Sequence, residues 1–456
     1  MSSMTETLTI RVGDDVPTVD TGTNPDSPSQ LSTARVAVVG TGYVGLTTGA
    51  CFAELGHDVV CADIDLRKVE LLQSGEVPIH EEGLRAIVRE NMAAERLSFV
   101  LGAANAVAGR EFIYLCVPTP QAADGRADLT YLLAAAREIA PHLAPGAIVV
   151  NKSTVPVGST VLVEEALDRS DVHVVSNPEF LREGSAVGDF LHPDRVVIGA
   201  ADRAAASRVA SLYLGVRAPI IITDAASAEA CKYAANAFLA TKISFANAVA
   251  AVCEGAGANV ADVLTGIGYD SRIGHDFLNP GPGWGGSCFP KDTKAMMAIA
   301  DDAGYDFAFL QGVIDVNDQQ FDRVVSKVRR AAGGSLEGAR VGILGLTFKA
   351  GTDDMRDSPA IEIAARLIGE GATVRAFDPV GQDCPIAAIE ECGTPYDAAA
   401  DADVVAVLTE WQEFTHLDFD KLAEVMHQKS IVDARNLLDG SALRRRGFAY
   451  DGIGRP

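Results

Sequence analysis

The chain has 456 residues, a length that predicts about three domains. Its formal net charge of −24 argues against nucleic acid as a partner, although local backbone NH groups and a few cations can still bind nucleotide phosphates. Its eight cysteines form no CxxC pair and its eight histidines lack metal-site spacing, which predicts a reduced, cytoplasmic protein without a disulfide framework or a metal site.

The first segment, residues 1–33, is rich in Ser, Thr, Asp and Pro and predicts a disordered acidic tail. Its short apolar patch, Leu8–Val12, could add an edge strand. No signal peptide is predicted, because no apolar segment follows a basic start. No stretch is predicted to span a bilayer, since the Ala-rich segment near residues 240–260 carries Lys242, Asn247 and Glu254. We therefore expect a soluble protein with no membrane partner.

A glycine-rich stretch, Gly40–Gly45, has the sequence GTGYVG. It lies between the apolar strand Val36–Val39 and a helical run that ends at Gly56. The next strand ends in Asp63, about 20 residues further on, which is the context that a dinucleotide fingerprint requires. The alternative is a purely structural strand–turn–helix connection.

Each residue of this fingerprint has a physical role. Gly40 allows the tight turn, Gly42 admits the pyrophosphate, and Gly45 lets the helix pack on the strand. The helix N-terminus favours the anion through its free NH groups and its dipole. Asp63 would accept hydrogen bonds from ribose hydroxyls and repel a 2′-phosphate, which predicts NAD rather than NADP.

Polar segments follow three further apolar strands. Strands are predicted at Phe112–Val117, Ala147–Val150, Val172–Val175, Val196–Gly199 and Pro219–Thr223. The first three end in segments that contain proline and polar residues, namely Pro118–Pro120, Lys152–Pro156 and Ser176–Gly184. Such residues at carboxyl ends of strands mark the ligand edge of an open α/β sheet, and the alternative is three ordinary loops.

A long Ala-rich helix is predicted over residues 225–254. Lys232 and Asn236 lie four residues apart and therefore share one of its faces. A lysine and an amide on a mostly apolar helix indicate a polar site, and the alternative is a solvated stripe. A helix of this length also favours a subunit interface.

A glycine loop follows, Gly281–Asp292, with the sequence GPGWGGSCFPKD. Four glycines and two prolines exclude a helix or an ordinary strand. Cys288 comes just before Lys291 and Asp292, so a cation can favour the thiolate and a carboxylate can handle protons or water. The alternative is a tight loop with a small buried cysteine. Helices are predicted after the loop, at residues 293–303 and 309–331.

The C-terminal third predicts a second α/β nucleotide-type domain after a linker at Gly333–Gly338. A strand–turn unit is predicted at Arg340–Lys349, strands at residues 373–377, 404–408 and 431–432, and a helix at Ser358–Gly369. This part is a candidate distant repeat of the first domain. Its Gly-Ile-Leu-Gly-Leu turn lacks the GxGxxG spacing, so we expect it to bind something other than the dinucleotide.

From about Arg35 to Tyr450 the chain resembles the UDP-glucose 6-dehydrogenase family, within the wider nucleotide-sugar dehydrogenases. The motifs that carry the resemblance are Gly40–Gly45, Asn177–Gly184, Asn236–Ala240, Gly283–Asp292 and Phe348–Arg356. The resemblance implies a four-electron oxidation of the 6-hydroxyl of UDP-glucose to a carboxylate with two NAD.

It also implies the role of each catalytic residue. Cys288 would trap the aldehyde as a thiohemiacetal, and a second hydride transfer would give a thioester that water hydrolyses. The other matching catalytic positions are Lys232 for the oxyanion, Asn236 as its hydrogen-bonding neighbour, Asp292 for water, and Glu179 and Thr154 as water-binding and acid–base residues.

The resemblance further implies the binding residues. The cofactor positions are Gly40, Gly42, Val44, Gly45, Asp63, Lys68, Thr119, Thr154, Glu183, Lys291 and Arg356. The UDP-sugar positions are Glu179, Phe180, Leu181, Arg182, Glu183, Lys232, Asn236, Arg272, Phe277, Leu278, Asn279, Pro280, Gly281, Gly285, Lys349 and Arg435. Arg272 matches an arginine that the family passes to a neighbouring subunit, which implies a homo-oligomer, at least a dimer.

The expected fold is α/β, with two Rossmann-like doubly wound domains joined by a long central helix. The expected boundaries are a tail (1–33), an NAD-binding domain (34–224), a central helical and dimerisation region with the cysteine loop (225–332), and a UDP-sugar-binding domain (333–456).

Two alternatives to this function stay open. One is the same chemistry on GDP-mannose or another nucleotide sugar; Phe289 favours UDP-glucose over GDP-mannose, and Ser287 replaces the histidine of the UDP-N-acetylmannosamine branch. Asn279-Pro280 replaces the Lys-Ala type of pair found in UDP-glucose enzymes. The other alternative is a non-catalytic nucleotide-sugar-binding regulator, against which the presence of Cys288 and Lys232 argues.

Overall fold

The structure, a computed structural model, describes residues 10–12, 33–122, 124–381 and 383–455. The chain forms two compact units that divide between Tyr233 and Ala234. The tail expected at residues 1–33 lies outside the described residues, apart from the backbone of Ile10–Val12 and Thr33. We call the part up to Tyr233 the first unit and the part from Ala234 the second unit.

Nine strands form the sheet of the first unit: β1 (Ile10–Val12), β2 (Arg35–Val39), β3 (Asp58–Asp63), β4 (Leu97–Leu101), β5 (Phe112–Leu115), β6 (Ile148–Asn151), β7 (His173–Ser176), β8 (Val196–Gly199) and β9 (Ile220–Thr223). Their order across the sheet is β1-β9-β8-β7-β6-β5-β2-β3-β4. All neighbours are parallel except β7 and β8. Within the Leu8–Val12 patch, Ile10–Val12 forms an edge strand, because β1 pairs with β9.

Helices cover both faces of this sheet: α1 (Tyr43–Glu54), α2 (Leu66–Gln73), α3 (Leu84–Ala93), α4 (Ala103–Val107), α5 (Thr130–Ile139), α6 (Ser159–Leu167), α7 (Ala186–Leu191) and α8 (Arg203–Ser211). Successive residues of a strand face opposite sides, so Tyr114 and Ile113 of β5 belong to two separate apolar cores. Burial on both sides explains why the central strands are continuous apolar runs instead of alternating ones.

The second unit contains a six-stranded parallel sheet: β10 (Arg340–Leu344), β11 (Thr373–Phe377), β12 (Ile389–Glu391), β13 (Val404–Val407), β14 (Ser430–Asp433) and β15 (Ala449–Gly452). Its order is β12-β11-β10-β13-β14-β15. The remaining helices are α9 (Ala225–Ala256, which begins in the first unit), α10 (Val260–Gly268), α11 (Phe289–Asp302), α12 (Ala308–Ala331), α13 (Pro359–Gly369), α14 (Pro395–Ala399), α15 (Phe419–Val425) and α16 (Gly440–Arg445).

The two sheets repeat one topology. Strands β4-β3-β2-β5-β6-β7 and strands β12-β11-β10-β13-β14-β15 both follow the order 3-2-1-4-5-6 of a doubly wound dinucleotide-binding fold. The direction in which successive strands are added therefore reverses once in each sheet. The reversal lies between β2 and β5 in the first unit and between β10 and β13 in the second unit. The predicted pair of Rossmann-like domains and the predicted repeat are confirmed.

Helix α9 corrects one expectation. By length and composition this 32-residue helix is apolar enough to cross a membrane, so the expectation that no stretch qualifies is wrong. The helix nevertheless buries polar side chains inside the protein, including Glu229, Lys232, Asn236 and Asn247. Buried polar groups with protein partners are typical of a core helix, and we interpret α9 as one.

The cysteine loop is shorter than expected. The loop was expected to run to Asp292, but α11 begins at Phe289 and its first turn already contains Asp292. Pro290 is compatible with this, because the first helical turn has no hydrogen-bonded NH to lose. The sequence also missed the short strands β4, β12 and β15.

Candidate active site

The Gly40–Gly45 turn has the geometry of a dinucleotide site. Gly40 has a φ of +97°, and a Cβ there would lie 2.6 Å from the carbonyl oxygen of Cys116. A Cβ on Gly45 would overlap the carbonyl oxygen of Gly40, whereas one on Gly42 would have no atom within 4 Å. Gly42 is also the N-cap of α1, so the open space lies at a helix N-terminus, where an anion is favoured.

Asp63 stands at the end of β3 and braces this turn. Its Oδ2 accepts hydrogen bonds from the backbone N of Thr41 at 2.9 Å and the Thr41 hydroxyl at 2.6 Å. Lys68 Nζ lies 3.4 Å from the same oxygen. Although burial opposes it, the bonds from Thr41 and Asp65 and the charge of Lys68 hold the pKa of Asp63 below its usual value. The carboxylate is therefore ionised at neutral pH.

The segments after β5 and β6 are tied together. The Thr119 hydroxyl donates to the carbonyl oxygen of Thr154 at 2.7 Å, and the Ser153 hydroxyl donates to that of Val117, also at 2.7 Å. Thr119 and Thr154, both predicted cofactor residues, thus lie side by side at the carboxyl edge of the sheet. This is the ligand edge that the sequence predicted.

Glu179 and Lys232 form a buried ion pair. Lys232 Nζ lies 2.8 Å from Glu179 Oε1, and the side chains are each 5% exposed. Glu179 Oε2 also accepts from the backbone N of Leu181 at 2.6 Å. Burial raises the pKa of Glu179, but Lys232, the Leu181 NH group and Lys152 outweigh burial and hold it below its usual value.

The Glu179–Glu183 segment is fixed by a residue that sequence reasoning missed. The buried Glu81 carboxylate accepts from the backbone N of Gly184 at 2.8 Å and lies 2.6 Å from the Tyr43 hydroxyl. Glu183 is buried in the same region, and Arg182 pairs with Asp189 at 2.5 Å. The sequence gives no signal for Glu81, which belongs to neither the fingerprint nor a strand end.

In the second unit, Cys288 is the N-cap of α11. Its thiol is partly exposed and lies 3.6 Å from the Ser287 hydroxyl. The free NH groups and the dipole of a helix N-terminus favour a thiolate at this position. Gly285 and Gly286 allow close packing around the loop. A Cβ on Gly285, for example, would overlap the carbonyl oxygen of Asp357.

Asp292 gathers two further predicted residues. Its side chain is almost fully buried and accepts from Asn236 Nδ2 and from Lys291 Nζ, each at 2.5 Å. Asn236 comes from α9, and Lys291 and Asp292 come from the first turn of α11. Asn236, Lys291 and Asp292 thus lie together, and Asp292 lies one helical turn after Cys288.

Three buried amides to which the sequence assigned no role in the site hold the loop before Cys288, although Asn247 was noted as a polar residue of the Ala-rich segment. Asn247 Oδ1 accepts from the backbone N of Gly281 at 2.8 Å, and Gln320 Nε2 donates to the Gly281 carbonyl at 2.7 Å. Asn317 makes both equivalent bonds to the backbone of Trp284, at 2.7 and 2.9 Å. Their only sequence signal is a polar residue on an otherwise apolar helical face.

Arg435 connects two segments of the second unit. Its guanidinium donates to the carbonyl oxygens of Leu408 and Phe348, at 2.8 and 2.9 Å, and pairs with Glu410. Lys349 follows Phe348 directly, so two predicted UDP-sugar residues converge here. Among the other predicted positions, Leu278 is buried, Phe277 has a φ of +60°, Asn279 is exposed and Pro280 is partly buried.

Two predicted arginines are largely exposed. The side chain of Arg272 is 87% exposed and pairs with Asp270 at 2.6 Å. Arg356 is 67% exposed and pairs with Asp354 at 2.6 Å. Within one chain, Arg272 is thus exposed to solvent, and Asp270 is its ion-pair partner.

The C-terminal turn resembles the dinucleotide turn only in part. Gly345 has a φ of +92° and its N donates to the end of β11, as Gly40 does to β3. Asp378 after β11 accepts from the backbone N and hydroxyl of Thr347, as Asp63 does from Thr41. Here, however, the next helix begins only at Pro359, so the turn does not lead directly into a helix N-terminus as Gly40–Gly42 does. This fits the expectation of a different ligand.

Among the described residues, no group of three His, Cys, Asp or Glu side chains is arranged to hold a metal ion. The first unit therefore offers a dinucleotide turn and the Glu179–Lys232 pair, and the second unit offers a cysteine with a carboxylate–lysine–amide cluster. Such parts can bind a nucleotide, stabilise an oxyanion and form a covalent adduct at sulfur.

Family models match the chain along most of its length. The matches are to the UDP-glucose/GDP-mannose dehydrogenase family: its NAD binding domain at residues 34–216, its central domain at 226–319 and its UDP binding domain at 342–440.

Curated relatives and solved structures agree. A UDP-glucose 6-dehydrogenase of Rhizobium meliloti is 46% identical over 435 residues, covering 92% of this chain and 100% of its own length. One from Bacillus subtilis is 44% identical, covering 92% of this chain and 93% of its own length. The structure of a UDP-glucose dehydrogenase from Pyrobaculum islandicum superposes with a TM-score of 0.85 at 36% identity, covering 94% of this chain and 100% of that one.

Proposed function

The chain belongs to the UDP-glucose/GDP-mannose dehydrogenase family, and we propose that it oxidises the 6-hydroxyl group of UDP-glucose to the carboxylate of UDP-glucuronate. The observation that carries this proposal is Cys288 at the N-terminus of α11, one turn before the Asp292 cluster. A dehydrogenase that stopped at the aldehyde would need no such nucleophile. The relatives named above, which act on UDP-glucose, support the choice of sugar.

The residues of the first unit fit NAD. The open space over Gly42, the helix N-terminus and the ionised Asp63 suit a pyrophosphate and a ribose without a 2′-phosphate. We assign Val44, Lys68, Thr119, Thr154 and Glu183 to the same cofactor, with Lys291 and Arg356 from the second unit. When bound, NAD supplies the hydride acceptor for each of the two oxidations.

In the first oxidation the Lys232 ammonium stabilises the oxygen that loses its proton. A buried ammonium is a strong donor to a developing oxyanion because little water competes with it. Glu179 and Thr154 act as acid–base and water-binding residues: they accept the proton and hold the water molecule in position. Asn236, one turn along α9 from Lys232, donates to Asp292 and fixes the orientation of that carboxylate.

In the second oxidation the Cys288 thiolate adds to the aldehyde carbon, forming a C–S bond and an oxyanion. Loss of a second hydride from that carbon gives the thioester. Water then adds with Asp292 as base, the C–S bond breaks, and the thiolate and the carboxylate are released. Overall, one alcohol, one water and two NAD+ would give one carboxylate, two NADH and three protons.

The second unit holds the nucleotide sugar through the segments around the cysteine loop and the C-terminal sheet. We assign Phe277, Leu278, Asn279, Pro280, Gly281, Gly285, Lys349 and Arg435 to UDP-glucose, together with Glu179, Phe180, Leu181, Arg182, Glu183, Lys232 and Asn236. The UDP binding domain matched at residues 342–440 supports this assignment.

We further propose a homo-oligomer, at least a dimer. Phe238, Phe245 and Val252 of α9 are 65%, 52% and 69% exposed and follow one another at intervals of seven residues. They form a single apolar stripe, and an exposed stripe of large apolar side chains marks an interface. The exposed Arg272 suits contact with a neighbouring subunit's site.

The domain boundaries that we propose are those expected from sequence: a tail at 1–33, an NAD-binding domain at 34–224, a central region at 225–332 and a UDP-sugar domain at 333–456. The matched segments 34–216, 226–319 and 342–440 lie within these ranges. The eight free cysteines support a reduced, cytoplasmic location.

NADH formation tests the function. Mixed with NAD, the protein should form two NADH per UDP-glucose and little NADH with GDP-mannose. Faster turnover of GDP-mannose would favour the same chemistry on that sugar. Binding of UDP-glucose without NADH formation would favour the non-catalytic regulator.

A further inference from the structure

Lys152 is a buried cation that the mechanism above does not use. It follows β6 directly, and 4% of the residue is exposed. Its Nζ donates to Asn177 Oδ1 and to the Tyr213 hydroxyl, both at 3.3 Å, and lies 5.9 Å from the ring centres of Phe190 and Tyr213. Among the described residues, no carboxylate oxygen lies within 4.0 Å of it. Burying an ammonium among neutral partners is costly.

The local hydrogen bonds do not need this charge. The Tyr213 hydroxyl donates to Asn177 Oδ1 at 2.6 Å, and Asn177 Nδ2 donates to the Val197 carbonyl at 2.8 Å. These neutral bonds already link the end of β7 to α8 and β8. A neutral donor at position 152 would serve this network equally well, so the charge has a separate purpose.

Three titratable groups of the first unit interact with Lys152 itself: Cys116 after β5, Glu179 after β7 and Tyr213 after α8. Two more extend this cluster, since Lys232 on α9 pairs with Glu179 and Tyr114 on β5 interacts with Tyr213. Burial raises the pKa of the Cys116 thiol to about 12, so it stays neutral, and burial also raises the pKa of Tyr114. Among the described residues, the Glu179 carboxylate interacts electrostatically with both lysines.

We propose that Lys152 is a positioning residue whose charge keeps Glu179 ionised when the Lys232 ammonium turns from Glu179 to the reacting oxygen. The inference rests on the proposed function for the role of Lys232. Without a second cation, a buried carboxylate released by its partner would take up a proton. Glu179 would then no longer order water or accept a proton in the next step. Lys152 prevents this without touching the substrate.

The test compares Lys152→Gln with Tyr213→Phe. The glutamine keeps a hydrogen-bond donor and removes the charge, whereas the phenylalanine removes a hydrogen bond and keeps the charge. The first readout is the infrared titration of the Glu179 carboxyl, identified as the band that Glu179→Gln lacks. The second is the pH dependence of kcat/KM for UDP-glucose.

In Lys152→Gln we expect both the carboxyl titration and the acidic limb of kcat/KM to move to higher pH, by about 1 in pH or more, since a nearby cation is removed. On the acidic limb, a displacement of about 1 in pH lowers kcat/KM about tenfold at a given low pH. Tyr213→Phe should leave both curves in place. An unchanged titration in Lys152→Gln, or an equal displacement in Tyr213→Phe, would overturn the proposal.

A second neutral variant tests the proposal if Lys152→Gln does not fold. Lys152→Met has a similar length, and apolar replacement of a buried charge is often tolerated. If neither neutral variant folds, Lys152 is a structural residue and the proposal is wrong. The infrared readout needs no turnover, so a parent protein without NADH formation would refute the proposed function and leave this inference to its own measurement.

Discussion

The N-terminus of α11 supplies both the thiol of Cys288 and the carboxylate of Asp292. The first turn of α11 places a thiol at the N-cap and a buried carboxylate four residues later, so that the backbone N of Asp292 donates to the Cys288 carbonyl at 3.0 Å. The thiol gains the dipole of the helix, and the carboxylate is held by Asn236 and Lys291. A nucleophile and a base for its later hydrolysis are thus fixed by the same backbone.

Cys288→Ser should separate the two oxidations. Binding of UDP-glucose and NAD should stay near normal, because oxygen replaces sulfur without changing the loop. Steady NADH formation should fall by at least about a thousandfold, since a serine without a dedicated base is a poor nucleophile and its ester hydrolyses slowly. Mass spectrometry should detect free aldehyde or a slow ester adduct.

Cys384→Ser is the matched control, because Cys384 is a partly buried thiol of the second unit outside the cysteine loop. It should retain the turnover of the parent. If Cys288→Ser also turned over within about tenfold of the parent, a simple alcohol dehydrogenase mechanism would be preferred.

Asp63 should set cofactor choice. The parent should have a much higher kcat/KM with NAD than with NADP, because the ionised carboxylate repels a 2′-phosphate. In Asp63→Ala, kcat/KM for NAD should fall by about tenfold to a hundredfold, the effect of losing a charged hydrogen bond, while that for NADP falls less. A parent that used NADP equally well would contradict this role.

The predictable part of the site consists of residues with a positional signature. Gly40, Asp63 and Cys288 were found because a turn, a strand end and a glycine loop each constrain the sequence locally. No role was predicted for Lys152, which was named only as part of a strand-end segment, or for Glu81, because their roles depend on partners 25 or more residues away, such as Asn177 and Gly184. Contacts between residues so far apart in the sequence form only when the sheet folds, and they leave no local pattern in the sequence.

The strands and helices show the same division. Continuous apolar runs such as β2 and β13 were predicted, because burial on both faces demands them. Strands β12 and β15 were missed: β12 contains two exposed glutamates in three residues, and both strands lie at edges of the second sheet. The first turn of α11 was missed because Pro290 was taken as a helix breaker, although the first turn tolerates it.

The cysteine loop should depend on Gly285. A Cβ there would overlap the Asp357 carbonyl and lie 2.8 Å from Pro359 Cδ, so Gly285→Ala must displace one of the two segments. We expect a loss of about 1–3 kcal/mol in the free energy of unfolding, typical of overpacking, together with a fall in kcat/KM. Denaturant unfolding and the NADH assay measure the two effects.

Gly312→Ala is the matched control within the second unit. Gly312 lies inside α12, and a Cβ there would have no atom within 4 Å. This variant should gain about 0.5–1 kcal/mol of stability, because alanine favours a helix interior, and should keep its activity. Equal behaviour of the two alanine variants would show that the loop adapts to a side chain at position 285.

The chain as a whole contains one topology twice and gives each copy a different ligand. Both sheets follow the same strand order. In each, the first strand of that order, β2 or β10, is followed by a glycine with positive φ, and the neighbouring strand, β3 or β11, ends in or is followed by an aspartate that binds the turn. The difference lies in the next segment: α1 starts at Tyr43 directly after the turn, whereas Leu346–Ser358 separates the second turn from α13. The second turn is therefore not followed directly by a helix N-terminus, the feature that the first turn offers to the pyrophosphate of a dinucleotide.

The apolar stripe on α9 should bring two chains together. Its three exposed side chains extend over about 21 Å of helix, at 1.5 Å per residue, and belong to a chain that otherwise carries a large negative charge. Like charges keep molecules apart, so association requires a local apolar surface of this kind. Sedimentation velocity of the parent should therefore give at least a dimer at assay concentration.

Phe245→Glu should dissociate that assembly, since it places a carboxylate at the centre of the stripe, where a partner would have to bury it unpaired. Leu214→Glu is the matched control, because Leu214 is 45% exposed and belongs to the first unit, outside α9. If Arg272 completes a neighbouring subunit's site, the dissociated Phe245→Glu protein should also lose NADH formation while keeping its melting temperature. A parent that sediments as an active monomer would refute both the interface and the shared arginine. Dissociation with full activity would refute the arginine alone.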